Sequence, residues 1–297
     1  MNSFTIKDLE NLSGIKAHTI RIWEQRYSFL KPERTGTNIR YYSNEELKKI
    51  LNVALLNKYG YKISHIDRMA EGEMQERVLS LNQAEALQER IVNDLIQCMV
   101  DVDMARLEQV LDKHIASKGI ERTITQIIFP FLEKIGILWL TNHINPAQEH
   151  LVSNMIRQKL IVGIDGIATS LKVDKTVLLF LPEGEYHEMG LLFVNYLLKS
   201  RGVNTIYLGA SIPLKDVEYV VKMKRPDILY VHITSAGQNF NLDKFIQQAG
   251  QRFAGMPIII SGQLTNTYQK KIQPPLTFIK SLPGVMDFVA GFSRSSG

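Results

Sequence analysis

Glu185-Tyr-His187-Glu-Met-Gly190 is the stretch of this chain whose residue types and spacing best suit ligand chemistry. It lies between an apolar run, Thr176 to Leu181, and a helical pattern, Leu191 to Leu198. A histidine at the carboxyl end of a strand, with a glycine opening the next helix, offers an imidazole to a ligand at the upper edge of a doubly wound sheet. Glu185 can hydrogen-bond that imidazole, orient it and raise its basicity as a metal ligand. Upstream, Trp139 is followed after nine residues by Glu149-His150. Glycine-rich nucleotide fingerprints, P-loops and zinc-ligand spacings are absent, and no Ser-His-Asp or Cys-His set assembles in order.

The elements that must position these residues follow from composition and period. At 297 residues the length prior is about two domains, possibly three, and 45% hydrophobic with 22% charged residues describes an ordinary globular chain. No apolar run suits a membrane span and no secretory leader appears, which gives an expectation of a cytoplasmic protein without membrane contact. The single cysteine, Cys98, rules out an internal disulfide and reads as a buried apolar residue. Residues 1–62 hold eleven Lys or Arg against six Asp or Glu, which accounts for the whole net charge of +5. One end of the chain therefore suits a polyanion.

That basic end reads as a winged helix-turn-helix. Thr5 and Asp8 resemble a capping box before Ile6, Leu9 and Leu12 at helical spacing, and Ser13-Gly14 closes the helix. A second helix, His18 to Arg26, turns Ile20 and Trp23 inward and leaves Thr19, Arg21 and Arg26 outside for a major groove. Pro32 to Tyr42 reads as a wing in which Arg34 and Arg40 supply phosphate-directed charge and Tyr41 or Tyr42 packs or touches the backbone. Ser43 caps a third helix, to about Lys58, and a fourth starts at Ser64.

Residues 73–81 are polar and mixed, a linker or a helix extension. Helical patterns at about 83–99, 102–115, 119–138 and 146–169 predict an antiparallel four-helix bundle, with a kink expected at Pro130. Asn145-Pro146-Ala-Gln148 is a helix start, so Trp139, Glu149 and His150 can converge on the bundle's end. Four apolar runs, 176–181, 205–209, 228–233 and 257–261, alternate with helices at 188–200, 213–223 and 239–252. That alternation predicts a parallel sheet covered on both faces, with ligands beyond the carboxyl ends of its strands. The expected organisation is a winged helix-turn-helix at 1–75, a helical bundle at 82–172 and an α/β flavodoxin-like domain at 173–297.

Phe4-Thr-Ile-Lys-Asp-Leu, Thr19-Ile-Arg-Ile-Trp-Glu-Gln-Arg-Tyr27, Arg40-Tyr-Tyr and Gly60-Tyr61-x-Ile63 resemble the head of MerR-type regulators. The resemblance implies dimeric binding to inverted repeats in double-stranded DNA, with groove contacts from Thr19, Arg21 and Arg26 and wing contacts near Arg34, Arg40 and Tyr41. Residues 83–290 resemble a cobalamin-binding helical bundle and flavodoxin-like domain. The family's Asp-x-His-x-x-Gly stands here as Glu185-x-His187-x-x-Gly190; His232-Ile-Thr234 occupies the Ser-x-Leu position and Ser261-Gly262 the Gly-Gly position. By this resemblance His187 ligates cobalt in place of the cofactor's own base, and the loops at 234–237 and 261–263, with Thr234, Ser235, Ser261 and Gly262, line the nucleotide tail. Trp139 with Glu149-His150 matches the cap of the light-responsive, adenosylcobalamin-binding CarH/LitR-like group. There the photoreceptor carries a histidine directly after the tryptophan, where this chain has Leu140, with His143 nearby but out of register. Leu140 cannot coordinate cobalt, so the resemblance leaves water as the expected upper ligand after photolysis unless His143 or His150 swings across.

The expected function is therefore a DNA-binding regulator, a repressor, governed by cobalamin through assembly into a dimer or tetramer. Two other readings stand beside it: a regulator whose sheet domain is only an assembly scaffold, and a corrinoid carrier, an enzyme-class reading that lacks any catalytic domain.

Overall fold

The computed structural model describes residues 3–140, 144–235 and 240–294, with side chains for all of these except 137, 139, 140, 293 and 294. The chain divides into two compact units, Met1–Met155 and Ile156–Gly297.

The first unit opens with α1 (Ile6–Ser13) and α2 (Ala17–Arg26). Thr5 and Asp8 form the reciprocal capping box expected of them, and Gly14 ends α1 in the left-handed conformation at φ 77° that glycine adopts without a Cβ penalty. The wing is the antiparallel pair β1 (Glu33–Arg34) and β2 (Arg40–Tyr41), followed by α3 (Asn44–Lys58) behind a second capping box of Ser43 and Glu46. Phe4 bridges backbone to backbone with Tyr42 and both side chains are fully buried, so wing and helices share one core with Leu9, Leu12, Ile20 and Trp23. Then come α4 (Ile63–Ile66) and α5 (Glu71–Ser80), so the mixed stretch before the bundle is a helix.

The bundle comprises α6 (Ala84–Asp101), α7 (Met104–Lys118), α8 (Ile120–Thr123) running through a π turn (Ile124–Ile128) into α9 (Phe129–Leu140), and α10 (Pro146–Asp165). Pro130 brings no break in that third pattern, and the π turn just before it explains why. A proline in a helix removes the donor for the carbonyl four residues earlier and crowds it. Here the backbone widens over 124–128, and the Gln126 carbonyl accepts instead from the Gln88 side chain. The head and the bundle pack as one unit: α1 lies on α9 and α3 on α6. Lys48 pairs with Asp101 at 2.7 Å and Lys58 pairs with Glu89 across that contact.

The second unit is a five-stranded, all-parallel sheet in the order β4-β3-β5-β6-β7. Its strands are β3 (Val173–Pro182), β4 (Val203–Ile212), β5 (Ile228–His232), β6 (Ile258–Ser261) and β7 (Leu276–Ile279). Its helices are α11 (Met189–Ser200), α12 (Leu214–Lys224), α13 (Leu242–Arg252), the single turn α14 (Leu264–Thr267) and α15 (Leu282–Arg294). Strand residues alternate between two buried faces. Leu178, Phe180, Leu229, Val231 and Ile260 pack with Val217 of α12 and Phe245 of α13, while the Tyr230 ring meets Phe288 of α15 on the other side. The four expected strands and three expected helices are present, and β7 is a fifth strand that the apolar runs did not reveal. Strand order reverses between β3 and β5, so the carboxyl ends of these two strands and of β6 frame the natural ligand crevice.

Candidate functional site

Glu185 is the centre of that crevice. Its side chain is fully buried, and its carboxylate accepts five hydrogen bonds. Oε1 takes the backbone N–H groups of Tyr186 and His187, each at 2.9 Å, and His187 Nδ1 at 2.6 Å. Oε2 takes the N–H groups of Thr234 and Ser235, at 2.8 and 2.9 Å, from the loop that leaves β5. Burial pushes this carboxyl up, but the His187 ring and backbone donors, the imidazole's charge and the Ser235 N–H outweigh it and hold it below its ordinary value. The group is therefore a carboxylate, which accepts a hydrogen bond from Nδ1–H of His187 and leaves the lone pair on Nε2, the tautomer that a metal ligand requires. The His187 side chain remains 58% exposed. A histidine standing on a buried, ionised carboxylate and open on its far side is built to present one nitrogen. No cluster of three or more His, Cys, Asp or Glu able to hold a metal occurs among the described residues. The donor set fits a metal that brings its own equatorial ligands and asks the protein for one axial nitrogen.

The neighbouring strand ends are packed differently. The first turn of α11 puts Gly190 so close to His232 that a Cβ there would lie 2.3 Å from His232 Nε2. On its other side, His232 Nδ1 lies 2.9 Å from the hydroxyl of Ser261, itself fully buried and accepting from the Tyr230 hydroxyl at 2.8 Å. Burial pushes the His232 imidazole down to about 4, with Glu185 pulling it up and His187 pushing it down, so the ring is neutral near pH 7. Gly262 follows at φ 103°, with a Cβ position 2.3 Å from the Ile233 carbonyl oxygen, and no larger residue could take that place. The residues at the Ser-x-Leu and Gly-Gly positions thus meet, but they fill the gap between them. Sequence reasoning did not expect this; the two larger side chains, His232 and Ser261, were its signal.

Further residues gather beside the crevice. Glu188 pairs with Arg157 at 2.6 Å and accepts from the Tyr207 hydroxyl at 2.9 Å, which ties the loop before α11 to α10 and β4. Ser211 closes the other flank by accepting from the Gly184 N–H at 3.2 Å.

The cap residues lie in the first unit. Asn145 caps α10 through the Ala147 N–H at 2.9 Å, and Gln148 reaches back to the Asn145 N–H and on to the Met99 and Val100 carbonyls. Glu149 and His150 follow in that first turn, paired at 2.9 Å, with Ser153 donating to Glu149. His150 is 72% exposed. Trp139 falls on the last turn of α9, and its side chain, that of Leu140 and all of His143 are outside the described residues.

In the head, α2 exposes Arg21 and Arg26 while Ile20 and Trp23 are buried; Thr19 is half-buried, with its hydroxyl 3.4 Å from His18 Nε2. Neither arginine forms an ion pair with another described residue. Arg34 is exposed on the wing and donates to Asn38 at 2.6 Å, while Tyr41 donates to Glu33. Arg40 is held differently: its Nε donates to Glu24 of α2 at 3.0 Å, and the Tyr42 hydroxyl donates to the same carboxylate. Glu24 thereby fixes the wing to the recognition helix, a task that its place in the sequence did not disclose.

Comparison with known proteins agrees with both halves. The family model described as MerR HTH family regulatory protein matches residues 4–73, and the B12 binding domain model matches residues 91–162. The chain is 28% identical to the HTH-type transcriptional repressor CarA of Myxococcus xanthus, over 90% of this chain and 89% of that one. It is 27% identical to the HTH-type transcriptional repressor CarH of the same organism, over 90% and 91%. In fold, it is similar to the monomethylamine corrinoid protein of Methanosarcina barkeri, at 13% identity and a TM-score of 0.54, covering 70% of this chain and 98% of that one. A winged helix-turn-helix head followed by a B12-binding domain is the composition of these repressors rather than of an enzyme. The chain thus carries a MerR-type helix-turn-helix head with a B12-binding domain behind it.

Proposed function

We propose that this protein is a repressor whose hold on double-stranded DNA is governed by a cobalamin, adenosylcobalamin in the working form, ligated by His187. The observation that carries this reading is the His187 imidazole standing on the ionised, five-times hydrogen-bonded Glu185 carboxylate. Such an anchor fixes ring direction and tautomer before any ligand arrives, and orientation of this kind is what outer-shell partners supply to a metal ligand. When bound, adenosylcobalamin would supply a light-labile cobalt–carbon bond. The chain's own part would be to hold the metal through the His187 imidazole, with Trp139, Glu149 and His150 as the candidate cap residues. Leu140, directly after the tryptophan, offers no group that could bind a metal.

DNA binding falls to Arg21, Arg26 and Thr19 in the groove and Arg34 with Tyr41 on the wing, within a head of residues 1–75. The bundle, 82–172, and the sheet domain, 173–297, assemble several heads as a dimer or tetramer on a cytoplasmic operator, and each added head brings phosphate contacts that steepen salt dependence. The alternative of a cofactor-free scaffold draws on the gap filled by His232 and Ser261. Purification with adenosylcobalamin in darkness, followed by spectra and operator binding before and after illumination, separates the readings. Retention of the corrinoid with operator binding that changes on illumination is expected; a colourless protein that binds its operator identically in both conditions supports the scaffold.

A further inference from the structure

The geometry points to His232 as the residue that sets which corrinoids this protein accepts: it blocks the slot for a nucleotide tail, so that corrinoids lacking the tail's bulky base are preferred. This rests on the proposed corrinoid site at His187 and goes beyond it. Gly190 is three residues beyond His187, and the His232 ring is wedged between Gly190 on one side and Ser261 on the other. The strands concerned are neighbours: β3, which leads into the His187 loop, pairs with β5, and β5 pairs with β6 with His232 opposite Ser261. A tail leaving a ring held by His187 and entering the sheet edge between β5 and β6 would meet this imidazole first.

The wedge is held on two sides, and its support from β6 is itself held in place. The Gly190 backbone bears on the Nε2 edge of the ring, and the Ser261 hydroxyl engages Nδ1. Tyr230 donates to that same hydroxyl from inside the core, and Gly262 is pressed onto the Ile233 carbonyl, which leaves the β6 end no room to retreat. Moving His232 aside would cost the buried Ser261 hydroxyl its imidazole partner and open a void beside Gly190, both of which oppose displacement. Rejection here works by filled volume, which excludes one ligand while leaving contacts with another intact.

The test is a spectroscopic titration of the full chain with aquacobinamide and with aquacobalamin, in the wild type and in His232→Ser. The ratio of the two affinities is read, because displacing cobalamin's own base costs the same in every variant. His232→Ser should shift that ratio toward aquacobalamin by about tenfold or more, with little change for aquacobinamide. Ser261→Gly, which removes the hydroxyl that holds the ring, should shift it the same way and serves if His232→Ser does not fold. An unmoved ratio in a folded variant overturns the inference while leaving the His187 site standing. Failure of the wild type to bind either corrinoid overturns both.

Discussion

Helix α2 and the sheet edge both expose charged or basic nitrogens, yet they hold them in opposite ways. Arg21 and Arg26 stand exposed on α2 without an ion-pair partner among the described residues, whereas His187 is gripped by a buried carboxylate that also ties down the Thr234 and Ser235 backbone. The difference follows from what each ligand demands. A phosphate or base edge can be met by a long side chain that reaches it after docking, and the guanidinium is charged in any setting. A metal accepts one lone pair along one direction, so the imidazole must be set in tautomer and angle beforehand. The head itself repeats the contrast at smaller scale: Arg40, bound to Glu24, belongs with the fixed groups, and Arg21 with the presented ones.

The largest test of that contrast is at Glu185. Glu185→Ala removes the acceptor for five donors at once, and loss of about 3–5 kcal/mol of stability is expected in a urea melt, the range for stripping one partner from a buried charged network. A melt unchanged from wild type would mean that the carboxylate is not the anchor described. Next in size is Arg21→Ala, for which operator affinity should fall by roughly 1–3 kcal/mol with relaxed sequence preference if the guanidinium reads a base. Intact operator binding in this variant would put the recognition helix elsewhere.

Much of this arrangement was legible in the residues, and what was not has identifiable causes. The capping box at Thr5, the cap at Ser43 and the Asn145-Pro146-Gln148 start are local patterns, and each formed as read. The β7 strand escaped notice because Leu276–Ile279 is four residues long with a polar Thr277, too short for a period to show. Residues 73–81 read as either a linker or a helix extension, and the helix Glu71–Ser80 could not be told from a linker because only Met74 and Val78 are buried on it. The pairing of His187 with Glu185 was foreseen from a two-residue spacing. The two donors from Thr234 and Ser235 come from nearly fifty residues away, and nothing in a linear reading brings them to that carboxylate. The same holds for Arg40 and Glu24, and for Gly190 against His232: long-range packing decides each of them.

A smaller effect separates the two histidines of the crevice. Between His232's ordinary value near 6.5 and its folded value of about 4, the unfolded chain takes up a proton that the folded chain refuses. Stability should therefore be level above pH 6.5 and fall as pH drops toward 4, with a slope of at most about 1.4 kcal/mol per pH unit from this group. Glu185 acts in the same direction, but only as pH falls below its ordinary value of 4.5. His232→Asn should flatten the upper part of the curve, and an identical curve in that variant would assign the slope to other groups. The smallest effect is expected at Arg34→Ala, which should weaken operator and random DNA about equally and lower the salt dependence by about one phosphate contact. A selective loss for operator alone would make Arg34 a base reader.

The central claim is that His187 supplies the axial nitrogen, and electron paramagnetic resonance of the reduced cobalt(II) corrinoid tests it most directly. The protein is loaded with cob(II)alamin after growth on nitrogen-15 histidine, and the nitrogen superhyperfine pattern is compared with that of unlabelled protein and of His187→Ala. The wild-type pattern should change with the histidine label, while His187→Ala should bind the corrinoid weakly and show no response to the label. A wild-type pattern indifferent to the label, or one that still responds to it in His187→Ala, would contradict the assignment.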